Sequence, residues 1–178
     1  MDEKTISSEM IYKGSIINLR KDTVIINDEK QAFREIVEHR GGVGIAAIDP
    51  EGKMVLVRQY RKAAEDVLLE IPAGKLDIGE DEPINAAYRE LQEETGYKAL
   101  NMEHMTSFYT SVGFSDEIIH LYFADELIAG APCPDENEDI EAFSYEIEEL
   151  KEMIRNGGIK DAKTIIAILM VEGRLSKK

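Results

Sequence analysis

Gly74 to Tyr97 reads GKLDIGEDEPINAAYRELQEETGY, and the reading of its second half decides the fold. Pro83 suits a first helical position after Asp81 and Glu82, and Gly96 suits a left-handed stop. Ile84, Ala87, Tyr88 and Leu91 recur at helical spacing, so the pattern predicts a short amphipathic helix with those four toward a core. On that helix Glu90, Glu93 and Glu94 stand at i, i+3 and i+4, and their carboxylates project to one side. Grouped carboxylates repel one another unless a cation sits among them, and hard oxygen donors favour Mg²⁺ or Mn²⁺. The other reading is a solvated acidic face, and spacing alone leaves both open.

Before this stretch, residues 8 to 38 alternate apolar and polar groups in short runs (15–20, 23–27 and 33–38). Asn27-Asp28-Glu29-Lys30 divides them, which predicts a small antiparallel sheet with a hairpin turn. This N-terminal piece, residues 1–40, is too small to hold a core alone and is expected to pack on the rest or on a second subunit. Val43 to Asp49 reads as a buried strand, Asp49-Pro50-Glu51-Gly52 as a turn, and Lys53 to Arg58 as the next strand. Val67 to Gly74 reads as one apolar strand running into the helix-bearing stretch. Further on, 104–110 and 117–124 read as paired strands and Gly130 to Asp139 as an acidic loop. Glu141 to Tyr145 reads as a strand, Glu146 to Arg155 as a helix, and Asp161 as the cap of a last helix. Strands mixed with only three helices predict an α+β fold, with helices on a mixed sheet.

At 178 residues the chain has room for one sizeable core with a small appendage. It carries 36 acidic against 21 basic residues, a formal charge of −15, which argues against a nucleic-acid or anionic-membrane partner. An anionic substrate would then have to be met by bound cations and a few placed arginines. The first residues lack a charged-then-apolar leader, and the longest apolar run, 165–171, is too short to span a bilayer. With a single cysteine, Cys133, these features make a soluble, cytoplasmic protein the expectation.

The 74–97 stretch resembles the Nudix box. Gly74 and Glu80 match its first half; Arg89, Glu90, Leu91, Glu93, Glu94, Gly96 and Tyr97 match its second. Eight residues rather than seven separate Glu80 from Arg89, and the extra one is assigned to the 81–83 lead-in, where a loop absorbs it. Beyond the box, the stretches 34–39, 57–61, 69–74, 110–117 and 136–140 resemble the ADP-ribose pyrophosphatase branch of the Nudix hydrolases. Val112 stands where that branch commonly has proline.

The resemblance implies a Nudix α/β/α sandwich over 41–178 and an N-terminal β-subdomain that shapes a homodimer and touches substrate. It also implies Mg²⁺-dependent hydrolysis of ADP-ribose to AMP and ribose 5-phosphate, with Mn²⁺ as a possible substitute. Another nucleoside diphosphate sugar, or a module that binds ADP-ribose without cleaving it, is the alternative.

Expected metal ligands are Glu90, Glu93 and Glu94, joined by resemblance by the Ala73 carbonyl and Glu138. Gly74 keeps that carbonyl approachable by adding no side chain. Glu80 matches the box's first acidic position, and the extra residue leaves open whether it or Asp81 plays that part. Arg89 can reach Glu93 one turn on and is read as an ion pair that aims the carboxylates. A carboxylate from outside the helix is expected as general base; the loop 135–139 is the source, against a merely acidic surface loop, and the resemblance picks Glu136. Arg34 and Arg61 are candidates for phosphate or adenine, since a guanidinium binds bidentately and stacks. Family positions add Glu35, Ser111 and Glu117 near the nucleotide and terminal ribose. His39 reads as structural or solvent-facing, and Tyr60 and Phe114 as core or packing residues before base stackers.

Overall fold

The computed structural model describes residues 2–77, 79, 82–131, 133 and 139–175. The chain forms two compact units. One comprises residues 1–41 with 108–118, the other 42–107 with 119–178.

The first unit is a three-stranded antiparallel sheet of β1 (Glu3–Lys13), β2 (Ile17–Ile26) and β3 (Lys30–His39), in that order. Asn27 and Asp28 take φ of +50° and +61°, the mirror-image turn whose twist suits a tight hairpin. The runs 15–20 and 23–27 fall in one strand: β2 is unbroken, paired with β3 from Ile17↔His39 to Ile26↔Lys30. Its polar middle stays in the ladder because Arg20 finds Glu38 across the pair at 2.6 Å. Residues 3–7, which show no strand pattern of their own, pair with β2 as part of β1. The segment 108–118 joins through Val37, whose N–H donates to Phe114 O and whose carbonyl accepts from Asp116 N–H.

In the second unit the strands are β4 (Gly42–Ile48), β5 (Met54–Arg61), β6 (Asp66–Glu70) and β7 (Ala73–Lys75). Helix α1 (Pro83–Thr95), β8 (Lys98–Ala99), β9 (Glu103–Tyr109), β10 (Ile118–Ala124) and β11 (Leu127–Ile128) follow. The series ends with β12 (Glu141–Tyr145), α2 (Ile147–Arg155) and α3 (Ala162–Leu175). The main sheet runs β12-β5-β4-β10-β9, with β6 on β5 and β7 on β4. It is mixed, since β4 pairs parallel with β10 and antiparallel with β5 and β7. β4 is buried along its whole length. Val43, Ile45 and Ala47, alternating on one face, pack with Ala86, Ala87 and Leu91 of α1. α3 packs on β4 and α2, so the expected α/β/α sandwich, an α+β fold, is what the chain forms. Leu91 has no exposed surface, and truncating such a leucine to alanine costs about 2–5 kcal/mol.

The helix starts at Pro83, as its proline predicts, and stops at Gly96 with φ +77°. Ala87 and Leu91 are buried as expected, while Ile84 and Tyr88 lie half-buried against the same cluster. The expected single strand 67–74 is two. Ile71 and Pro72 break it, and the halves pair with different strands. Proline has no N–H to continue a ladder. Here its carbonyl accepts from Ile45 N–H at 2.8 Å, while Ile71 N–H donates to Thr164 Oγ1 at 2.9 Å. The chain therefore changes neighbours just before Ala73 and Gly74.

Candidate active site

α1 sets its carboxylates against the end of that redirected strand. Glu94 is only 4% exposed, and its Oε2 accepts the Ala73 N–H at 3.0 Å. Glu90 lies directly on Gly74: a Cβ at position 74 would stand 1.9 Å from its carboxyl carbon. The glycine is required by this close approach, so its part is to admit Glu90 as much as to expose a carbonyl. Glu93 is 34% exposed and meets Arg89 at 3.1 Å, one turn apart. Arg89 also donates to Glu90 at 2.7 Å and lies 3.5 Å from Asp77. The expected Arg89–Glu93 ion pair is thus present, and it extends to Glu90. Burial by itself would lower the Arg89 pKa; the charges of Glu90 and then Glu93 outweigh it and raise it. A wholly solvated acidic face does not describe this helix, because Glu94 is in the interior.

Among the described residues no group of three or more His, Cys, Asp or Glu side chains is arranged to hold a metal ion. Arg89 and the Ala73 N–H engage the glutamates instead. By chemistry the donor set is hard oxygen throughout, which suits a divalent cation such as Mg²⁺ and not a soft one.

Arg61, at the end of β5, is held by a residue to which the sequence reading gave no role. Its Nε and Nη2 donate to Glu70 Oε1 and Oε2 at 2.7 and 2.8 Å. Glu70 is buried and also accepts from Lys163 Nζ, whose ammonium lies 3.0 Å from Asp161. Burial pushes the Glu70 pKa up, but the hydrogen bond from Arg61 and the nearby Lys163 charge dominate and hold it at about 2. Asp161 caps α3 as expected, accepting the Thr164 N–H at 3.0 Å. The signal that could have found this network is a lone carboxylate in the apolar run 67–74, which demands a buried cation.

In the first unit Glu117 accepts from Thr110 Oγ1 at 2.6 Å and lies 3.2 Å from His39 Nδ1. Arg34 forms a fork with Glu3, Nε–Oε2 at 3.0 Å and Nη2–Oε1 at 2.5 Å. Glu35 is exposed; Ser111 is half-buried, and its carbonyl accepts from Phe114 and Ser115 N–H. His39 is mostly buried, and its Nδ1 accepts the Gly41 N–H at 3.1 Å. Tyr60 and Phe114 are both more than half exposed, which corrects their reading as packing residues. Glu80, Glu136 and Glu138 lie outside the described residues.

The fold and site together define a class: an α/β/α sandwich whose loop-to-helix element presses oxygen donors onto the end of a redirected strand. The chain belongs to the NUDIX domain family, whose model matches residues 38–166, and it is a Nudix pyrophosphohydrolase. It is 43% identical over 170 residues to an ADP-ribose pyrophosphatase of Bacillus subtilis (strain 168), covering 94% of this chain and 91% of that protein. It is 46% identical over 169 residues to a methanol dehydrogenase activator of Bacillus methanolicus, with 94% and 91% covered. A GDP-mannose pyrophosphatase of Cronobacter sakazakii (strain ATCC BAA-894) is 34% identical over 159 residues, with 84% and 80% covered. A solved ADP compounds hydrolase superposes with a TM-score of 0.86 over 99% of this chain and 96% of that one; at 18% identity it speaks for the fold.

Proposed function

We propose that this chain hydrolyses the diphosphate bond of ADP-ribose to AMP and ribose 5-phosphate, with Mg²⁺ as its cation and Mn²⁺ as a substitute. The observation that carries the reading is the seating of Glu94 on Ala73 and of Glu90 on Gly74. The names of the Bacillus subtilis relative and of a Mycobacterium tuberculosis (strain ATCC 25618 / H37Rv) ADP-ribose pyrophosphatase, 36% identical over 172 residues, support the substrate. The activator name of the Bacillus methanolicus relative describes an effect on another enzyme and leaves the substrate open.

A diphosphate resists hydrolysis because its charge repels a nucleophile. Glu90, Glu93, Glu94, the Ala73 carbonyl and Glu138 are the residues that would hold the divalent cation, which neutralises phosphate charge and acidifies water. Glu136 takes the proton of the attacking water, since the helix glutamates are engaged. Arg61 meets the diphosphate; Arg34, Glu35, Ser111 and Glu117 serve the nucleotide and the terminal ribose. Gly74, Glu80 and Arg89 support the site. Glu136→Gln should lower kcat roughly 10²- to 10⁴-fold with KM largely kept; near-normal turnover would remove Glu136 from that role.

The second reading is another nucleoside diphosphate sugar, favoured by the GDP-mannose pyrophosphatases among the relatives. A panel of ADP-ribose, GDP-mannose and related diphosphates, read by product identity in Mg²⁺ and Mn²⁺, separates the two. Cleavage of another diphosphate but not of ADP-ribose would overturn the substrate claim.

We also read the chain as a cytoplasmic homodimer, with no nucleic-acid or membrane partner. No helix among the described residues is long and apolar enough to cross a membrane. β1 is an edge strand exposed along its whole length, with Ile6, Met10, Ile11 and Tyr12 all at least half exposed. Such an edge invites pairing with a second copy. A monomeric mass by light scattering at micromolar concentration would refute the dimer.

A further inference from the structure

We propose that Glu70 is a positioning residue that sets the plane of the Arg61 guanidinium for the substrate diphosphate, with Lys163 and the start of α3 holding Glu70 in place. This rests on the assignment of Arg61 to the diphosphate and adds what aims it.

The geometry is specific. A guanidinium is a planar fork, and two parallel bonds to one carboxylate fix both its position and its plane. Glu70 takes Nε and Nη2 of Arg61, the two donors on one edge. Among the described residues Nη1 donates to no partner, and the side chain is 40% exposed. One edge is therefore locked in the interior and the other remains for a ligand. Glu70 raises the Arg61 pKa most, and the Glu94 charge, on α1, is also felt there and raises it.

Glu70 is itself immobilised from a distant part of the chain. Lys163 donates to its Oε2 and pairs with Asp161 in turn. One residue on, Thr164 accepts the Ile71 N–H, so α3 grips both the side chain of Glu70 and the backbone beside it. Two residues further, the Ala73 N–H is held by Glu94. The run from Glu70 to Ala73 thus joins Arg61 at one end to the box helix at the other.

Stability alone gives a poor account of the network. A buried ion pair costs desolvation that apolar packing of similar volume avoids, and such packing is often as stable. Arg61, Lys163, Glu70 and Asp161 balance in charge, so what the network gives the guanidinium is a fixed plane, with its remaining N–H donors directed at a ligand.

A double-mutant cycle in saturating Mg²⁺ tests this on whichever diphosphate the panel shows to be turned over. Arg61→Ala should lower kcat/KM roughly 10- to 100-fold, the size of one charge-assisted bidentate contact. Glu70→Gln should raise KM about tenfold and change kcat less than about threefold, since the contact is lost from ground and transition states alike. In the Arg61→Ala background, Glu70→Gln should add no more than about twofold, because residues acting as a unit are not additive. The charge-balanced Glu70→Gln/Lys163→Gln pair guards against simple misfolding and should show the same raised KM. Losses that multiply across the cycle, an Arg61→Ala enzyme with wild-type kcat/KM, or failure of both Glu70 variants to fold would each overturn the inference. A wild-type protein inert toward every diphosphate would instead fail the functional reading.

Discussion

Glu70 and the pair Glu90/Glu93 are carboxylates bound to arginine in the same unit, yet they are bound in different ways. Glu70 is buried, and its partners come from a neighbouring strand and from a helix 93 positions away. Glu90 and Glu93 share one arginine from their own helix, one and four positions distant, and Glu93 is a third exposed. Partners gathered from two other elements lock a carboxylate, since exchanging them means unpacking the core. A partner within one helical turn, at the edge of solvent, can be traded for a cation at little structural cost. The first arrangement suits aiming; the second suits binding.

The contrast is sharpened first by stability. Glu70→Gln should destabilise by about 3 kcal/mol or more, because it leaves Lys163 and Arg61 short of a buried counter-charge. Glu93→Gln should stay within about 1 kcal/mol, as partly exposed pairs do. Denaturant midpoints measure both, and equal losses would break the distinction. A smaller effect is expected from Arg89→Ala, which leaves the fold intact and weakens cation affinity about tenfold by releasing the carboxylates it orients. Mg²⁺ titration of activity checks it, and unchanged affinity would make Arg89 a bystander.

The Glu70 contribution can also be followed in acid. Glu70 titrates at about 2 against an ordinary 4.5, so its folded pKa is depressed. Its contribution is fully present above pH 4.5 and is lost as pH falls toward 2. The difference in stability between wild type and Glu70→Gln should shrink across that window. A constant difference would contradict the assigned ion pairs.

What could be read from the chain alone follows the range of the forces involved. Pro83 and Gly96 bound α1, and Asp161 caps α3, because capping acts within a few residues. Asn27-Asp28 marks its hairpin for the same reason. The break at Ile71-Pro72 escaped notice, since what divides the strand is pairing with β4 in place of β5, a long-range event. β8 and β11, two residues each, carry too little pattern to be seen. The box glutamates were marked by the whole box pattern, since their spacing alone left a solvated face open. Glu70 was not marked, because its meaning depends on Lys163, and no local pattern joins them. The family resemblance supplied Glu136 and Glu138 and stopped short of what holds Arg61.

The central claim is that cation-dependent hydrolysis runs through the carboxylates seated on Ala73 and Gly74. It is tested most directly by following AMP release from ADP-ribose as Mg²⁺ is titrated, in wild type and Glu94→Gln. The account predicts wild-type turnover that rises with Mg²⁺ to saturation, and turnover in Glu94→Gln about 10²-fold lower or less even at saturating Mg²⁺. Wild-type rates from Glu94→Gln in saturating Mg²⁺ would contradict it.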